Sequence, residues 1–190
     1  MRKTAVIAAL LLLAAPSAHA EGTMGGLGFR TTASPFAYLK LSQNETQPTV
    51  GGRHWFTEQV AVDVGIGYNQ DKYEPATETW TGFSFDLGLP ILLKKVSDRV
   101  LFLLRPGVQW GSLEDKNEYL APTVTTKYTM IGVSGELEVE WMVADRLSVS
   151  AAHGLAWHRL EDDGSPKTTA TSFGTSGSNF TSLGFHVYLW

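Results

Sequence analysis

Glu136, Glu138 and Glu140 stand two residues apart. In an extended chain that spacing lines up their carboxylates on one face at about 6.5 to 7 Å. Carboxylates so placed are the tools of glycoside hydrolysis, or the ligands of a cation. If they are buried they also need compensating charge, and Asp86 and Arg105 lie at matching places on the two preceding segments. The stronger reading is therefore an interior network in which Arg105 neutralises Asp86, Glu136, Glu138 and Glu140, with Asp63 and either Arg53 or Arg30 joining. Unpaired buried charge is rare, which weighs against a catalytic or cation site.

Little else in the chain is equipped for chemistry. There is no cysteine among the 190 residues, which excludes a disulfide scaffold, a thiolate metal site and a thiol nucleophile. His54, His153, His158 and His186 show no metal-ligand spacing, so no metal and no cofactor is expected. The cluster Gly25-Gly26-Leu27-Gly28 precedes no helix and is not a phosphate loop. The net charge of −4, with no basic stripe, argues against nucleic acid as a partner.

Residues 1–20 carry Arg2 and Lys3, an unbroken apolar run over 5–15, and Ala18-His19-Ala20 at the end. Such an arrangement predicts a secretory leader, and the run stops at Pro16, short of the roughly 20 apolar residues of a spanning helix. The exported domain then comprises residues 21–190. Beyond residue 20, glycine or polar residues interrupt every apolar run, so the chain is either soluble or crosses a membrane as strands.

The elements that must position the charged residues repeat with a period of two. Over 60–68, Val60, Val62, Val64, Ile66 and Tyr68 alternate with Ala61, Asp63, Gly65 and Gly67. Segments 81–93, 100–110, 128–141 and 147–158 alternate in the same way, which predicts strands. Weaker strands are expected over 22–31, 47–56 and 178–190, giving eight as the best count, with six or ten as alternatives. Tight connections at 57–59, 95–98 and 144–146 alternate with mostly longer polar ones near 32–46, 74–78, 114–123 and 161–177. That is the rhythm of an up-and-down antiparallel barrel with turns at one end and loops at the other.

One face carries Phe83, Phe85, Leu87, Leu89, Phe102, Leu104, Ile131 and Val133, and the other mostly Gly, Ser and scattered charges. The second face is too small and glycine-rich for a water-exposed surface, but it suits a narrow lumen. The apolar face is therefore expected to meet lipid, and the glutamates to point inward. Trp55, Trp141 and Trp190 at the tight-turn end, with Trp80, Trp110 and Trp157 about ten residues away, are expected to form two aromatic belts. His153 falls on the lipid side near mid-strand, where a polar side chain is unexpected.

The last strand, Gly184-Phe185-His186-Val187-Tyr188-Leu189-Trp190, has a terminal aromatic and another two residues earlier. In this and in its overall pattern the mature chain resembles the small eight-stranded outer-membrane proteins of Gram-negative bacteria, of the OmpX and OmpA transmembrane-barrel type. His186 departs from that resemblance, standing where the family usually has an apolar residue, and Leu183, Phe185, Val187 and Leu189 have the opposite parity to Tyr188 and Trp190. The resemblance implies an integral outer-membrane barrel, folded by the outer-membrane assembly machinery and surrounded by outer-membrane lipid and lipopolysaccharide. It implies a structural, surface-interaction or adhesion role, through loops such as 161–177, for a monomer with no enzymatic activity. Two alternatives remain: a lipid A acyl-modifying enzyme and a narrow channel for small or hydrophobic solutes. The first is weakened by Leu155, which stands where a His-x-Ser pattern beginning at His153 needs serine.

Overall fold

The computed structural model describes residues 25–33, 46–73, 78–117, 123–164, 167–175 and 182–189. Among them the chain forms ten strands: β1 (Gly25–Ala33), β2 (Thr46–Trp55), β3 (Ala61–Tyr73), β4 (Glu78–Gly88), β5 (Ile91–Ser97), β6 (Val100–Asn117), β7 (Val124–Ala144), β8 (Leu147–Asp162), β9 (Thr169–Thr175) and β10 (Ser182–Tyr188). All pairings are antiparallel, and β10 joins both β1 and β8, which closes the sheet on itself. Because β4 and β5 follow one another along β6, and β9 and β10 follow one another along β8, the ten strands make an eight-stave barrel.

Two segments differ from the pattern expected of the sequence, each for a local reason. The alternating run 81–93 is cut at Leu89 and Pro90, since proline has no N–H for the ladder. The ladder is tied across the cut: the Leu89 N–H donates to the Pro106 carbonyl and the Ala61 N–H to the Pro90 carbonyl, each at 2.8 Å. The region 161–177 is not one long loop, because β8 continues to Asp162 and β9 begins at Thr169. Its threonines and serines resemble a loop in polarity, yet threonine is a good strand former.

Period two assigns the two faces of the wall. Leu104, Ile131, Val133 and Leu137 are 38–63% exposed on the outside, whereas Arg53, Arg105, Glu138 and Glu140 are at most 1% exposed on the inside. The barrel is thus apolar outward and charged inward, as lipid requires. On the last stave Leu183, Phe185 and Val187 face out while His186 and Tyr188 are buried in the lumen. The opposite parity of Tyr188 follows from its side of the wall: its ring belongs to the interior. Trp190 lies outside the described residues.

Candidate functional site: a charged lumen under an extended rim

Three arginines and five carboxylates from six strands converge in the lumen. Arg30 comes from β1, Arg53 from β2, Asp63 from β3, Asp86 from β4, Arg105 from β6, and Glu136, Glu138 and Glu140 from β7. Arg53 grips Asp63 with two parallel bonds, Nε to Oδ1 at 2.7 Å and Nη2 to Oδ2 at 2.8 Å. The same guanidinium reaches Glu140 at 2.8 Å and Glu138 at 3.0 Å across the barrel. Arg105 donates to Asp63 at 2.8 Å, to Glu136 at 3.2 Å, and to Asp86. Arg30 donates to Glu136 at 2.5 Å. A planar guanidinium with five donors is suited to bridging several carboxylates at once, which a lysine ammonium does less well.

Neutral donors complete the set. Three positive groups against five negative ones leave a formal excess of two negative charges. At the tight-turn end the Ser148 hydroxyl donates to Glu140 at 2.5 Å and the Tyr188 hydroxyl at 2.7 Å, while the indole N–H of Trp55 donates to Tyr188 at 3.4 Å. His186 Nδ1 lies 3.6 Å from Glu140. Trp55, Ala61, Leu103 and Tyr188 pack together beneath the charges. Space for this traffic comes from glycine on the facing staves: a Cβ at Gly88 would collide with the Arg105 guanidinium.

Two of the expected belt residues are corrected by this geometry. Trp55 is 4% exposed inside the lumen, and Trp80 packs inward against Leu113, Met130 and Leu160. Each shares the parity of inward neighbours, Trp55 with Arg53 and Trp80 with Gly82, Ser84 and Asp86, so the signal was present in the alternation. Trp110 and Trp141 face outward, 41% and 53% exposed, and Trp157 shares their outward side of the wall. Ser148, His186 and Tyr188 were not singled out by sequence as network members, although parity again places them inside.

A cavity of about 20 Å³ lies beside the network, lined by Gly28, Arg30, Asp63, Asp86, Arg105 and others. It admits a water-sized molecule, not a sugar ring. Glu136, Glu138 and Glu140 each have a carboxylate oxygen on a guanidinium, and no group of three or more potential metal ligands is found among the described residues.

Above the lumen the sheet continues past the apolar layer. About 9 to 11 residues cross that layer at ordinary tilt, whereas β6, β7 and β8 have 18, 21 and 16. On the inner side of this rim the Trp80 indole N–H donates to Glu78 at 2.7 Å. Partial burial, and then the neighbouring Glu78 carboxylate, raise the Asp115 pKa above the usual carboxylate value. Burial together with Asp115, Asp162 and Asp163 raises the Tyr128 phenol. Hydrogen bonds from the Thr168 side chain and backbone, and from the Gly164 N–H, hold Asp162 below the ordinary value.

Comparison with known proteins agrees with this architecture. The outer membrane protein beta-barrel domain model matches residues 5–178. No curated protein sequence matches the chain. Among solved structures, the attachment invasion locus protein Ail of Yersinia pestis superposes with a TM-score of 0.51 at 12% identity, covering 88% of this chain and 97% of Ail. A major outer membrane protein of Thermus thermophilus gives a TM-score of 0.50 at 11% identity, covering 89% of this chain and all of that one. At such identities the likeness is one of fold. A wall greasy outside and ionised inside, closed by β10 on β1 and matched over nearly its whole length, places this chain in the outer membrane protein beta-barrel family, integral to the outer membrane.

Proposed function

We propose that this barrel is a non-enzymatic contact protein of the cell surface, exported by residues 1–20 and working through the sheet that rises beyond the membrane. The observation that carries this reading is the length of β6, β7 and β8, which exceeds what crossing the apolar layer needs. At the level of the network the interior is filled by mutually bonded side chains beside a cavity of only about 20 Å³, which supports a barrel closed to solutes at mid-height. The wider recess of about 590 Å³ among Trp55, Leu92, Leu101 and Met142 lies at the tight-turn end, away from the rim. Short turns at one end and a tall rim at the other set the turns in the periplasm and the rim outside the cell.

The outer side of the rim supports a second contact. Lys72, Lys116, Lys127 and Arg159 occupy outward positions just beyond Tyr68, Trp110, Ile131 and Trp157 along their strands. Cations beyond an aromatic layer suit the phosphate groups of lipopolysaccharide, with Lys127 and Arg159 already held by Glu114 and Glu161.

The reading is tested by replacing residues 114–127 with a two-residue turn, the register pairing Glu114 with Lys127. The variant is expected to keep the gel shift on boiling that marks a folded barrel, while bacteria carrying it lose the attachment to cell and matrix surfaces conferred by the intact protein. Unchanged attachment would refute the contact role. Lipid A from cells with and without the protein is expected to give identical mass spectra. An altered acyl pattern would make the protein an acyl-modifying enzyme instead.

A further inference from the structure

The recess of about 590 Å³ at the tight-turn end has the size of a small-molecule site, roughly 300 to 1,000 Å³. Its floor is Trp55, Leu92, Leu101 and Met142, continuous with the apolar cluster that underlies the charged network. The wall beside it is notched. The chain turns back between Phe56 and Val60, where Val60 bridges Ile91 and the Leu92 N–H donates to the Gln59 carbonyl at 2.7 Å. From there β5 runs on to Ser97 paired only with β6, so its other edge has no partner strand among the described residues. The notch also lies at an interface. Met142 follows the outward-facing Trp141, and Leu101 follows Val100, which pairs with Trp141, and aromatic rings favour that depth. Phe56, Leu93 and Val96 stand 54–57% exposed beside the gap. Apolar surface therefore continues from the membrane side, over the notch, to the floor of the recess.

We propose that this recess holds one phospholipid drawn from the leaflet at the tight-turn end, with a headgroup of phosphate and primary amine at the mouth and part of an acyl chain on the floor. The mouth carries charge of both signs. Lys95 is held by Asp98 at 3.0 Å. The Arg99 guanidinium and the Glu58 and Asp145 carboxylates also line the recess, and they form no ion pair among the described residues. A guanidinium is a ready partner for a phosphate, and a carboxylate for an ammonium. A zwitterionic headgroup satisfies both together, whereas an anionic one brings a negative charge to Glu58 and Asp145 with nothing to offset it. The notch lets an acyl chain pass from the membrane side to the floor without opening the ladder of the wall. A polypeptide arriving from the aqueous side would leave Phe56, Leu93 and Val96 unused, which favours the lipid.

The test separates a lipid inside the mouth from the lipid that surrounds any barrel. The full-length protein is reconstituted in phosphatidylcholine vesicles containing phosphatidylethanolamine with a diazirine in its acyl chain, irradiated, and the labelled residues are mapped by mass spectrometry. Leu137, 63% exposed on the outer wall, reports surrounding lipid, and the floor residues Leu101 and Met142 report the recess. Labelling of Leu101 and Met142 is expected, with unlabelled phosphatidylethanolamine competing it away several-fold better than phosphatidylglycerol. Arg99→Glu is expected to lower that labelling several-fold while Leu137 labelling and the gel shift on boiling persist. Label confined to outward residues, equal competition by the two lipids, or floor labelling indifferent to Arg99→Glu would each overturn the proposal. So would floor labelling that appears only after residues 21–24 are deleted, which would give the recess to the chain's own N-terminal segment.

Discussion

Arg53 and Arg105 are each almost wholly buried; Arg53 bridges three carboxylates from two strands and Arg105 three carboxylates from three strands. Removing one guanidinium leaves several carboxylates in a low-dielectric interior without their partner, a far larger penalty than the net worth of the pairs themselves. Arg105→Ala is therefore expected to lower the stability of the folded barrel by about 3 to 5 kcal/mol, read as a lower unfolding temperature in detergent. Lys95→Ala removes only an exposed pair with Asp98, and its effect should stay within roughly 1 kcal/mol. Equal effects from the two variants would mean that the lumen network does not hold the barrel together. The arginine side of this network was half legible in sequence. Arg105 stood out because its parity and its place along the strand matched Glu136, with which it pairs. Arg30 and Arg53 were offered as alternatives, and the structure uses both.

At the level of the strand, a glycine matters according to what its neighbour presents. A Cβ at Gly51 would run into the backbone carbonyl of Val64 on β3, which cannot move without breaking the ladder, whereas one at Gly135 meets open space. Gly51→Ala should thus destabilise the β2–β3 pairing and lower the unfolding temperature, while Gly135→Ala leaves it within a degree or two, about the size of a neutral surface change. The rim offers a test by pH. The Asp115 pKa is raised in the folded protein, so its protonated form favours the native rim: the stabilisation is complete below the ordinary carboxylate value and is lost as pH rises through the raised one. Protection of the Trp80 and Thr126 amides, which pair with Asp115, taken as the exchange rate relative to the unstructured chain at the same pH, should rise on acidification in the wild type. In Asp115→Asn the protection should be high already at neutral pH, and a pH profile of protection unchanged from the wild type would exclude Asp115 as the cause. Asp162 works in the opposite sense, since its lowered pKa means that its turn loosens as pH falls through that value. Strand existence was well marked by alternation, but strand ends were not. The expected loop beginning at Glu114 is strand as far as Asn117, because polar residues on a sheet that stands in water look like loop residues on paper.

For the molecule as a whole, a filled lumen predicts that the purified barrel in planar bilayers conducts at the background level, and that Arg53→Ala, by opening the middle of the network, raises conductance above it if the barrel stays folded. Steady conductance of the wild type would show that the network moves enough to admit ions and would favour the channel reading. The sequence by itself determined the class of fold and which side of each strand meets lipid, because both follow from a backbone that turns over every second residue, a property local to each strand. It made eight the best count of staves, which closure of the sheet fixed. Even the inward turn of Trp55 and Trp80 was encoded in that parity. Only the tertiary structure decided which charges meet. Closure by β10 on β1 and the stagger of the staves bring Arg53 of β2 onto Glu138 and Glu140 of β7, residues 85 and 87 positions away. An alternating pattern says that a residue faces in, but how far along the axis it sits, and what it therefore touches across the lumen, is settled by the register of every strand between.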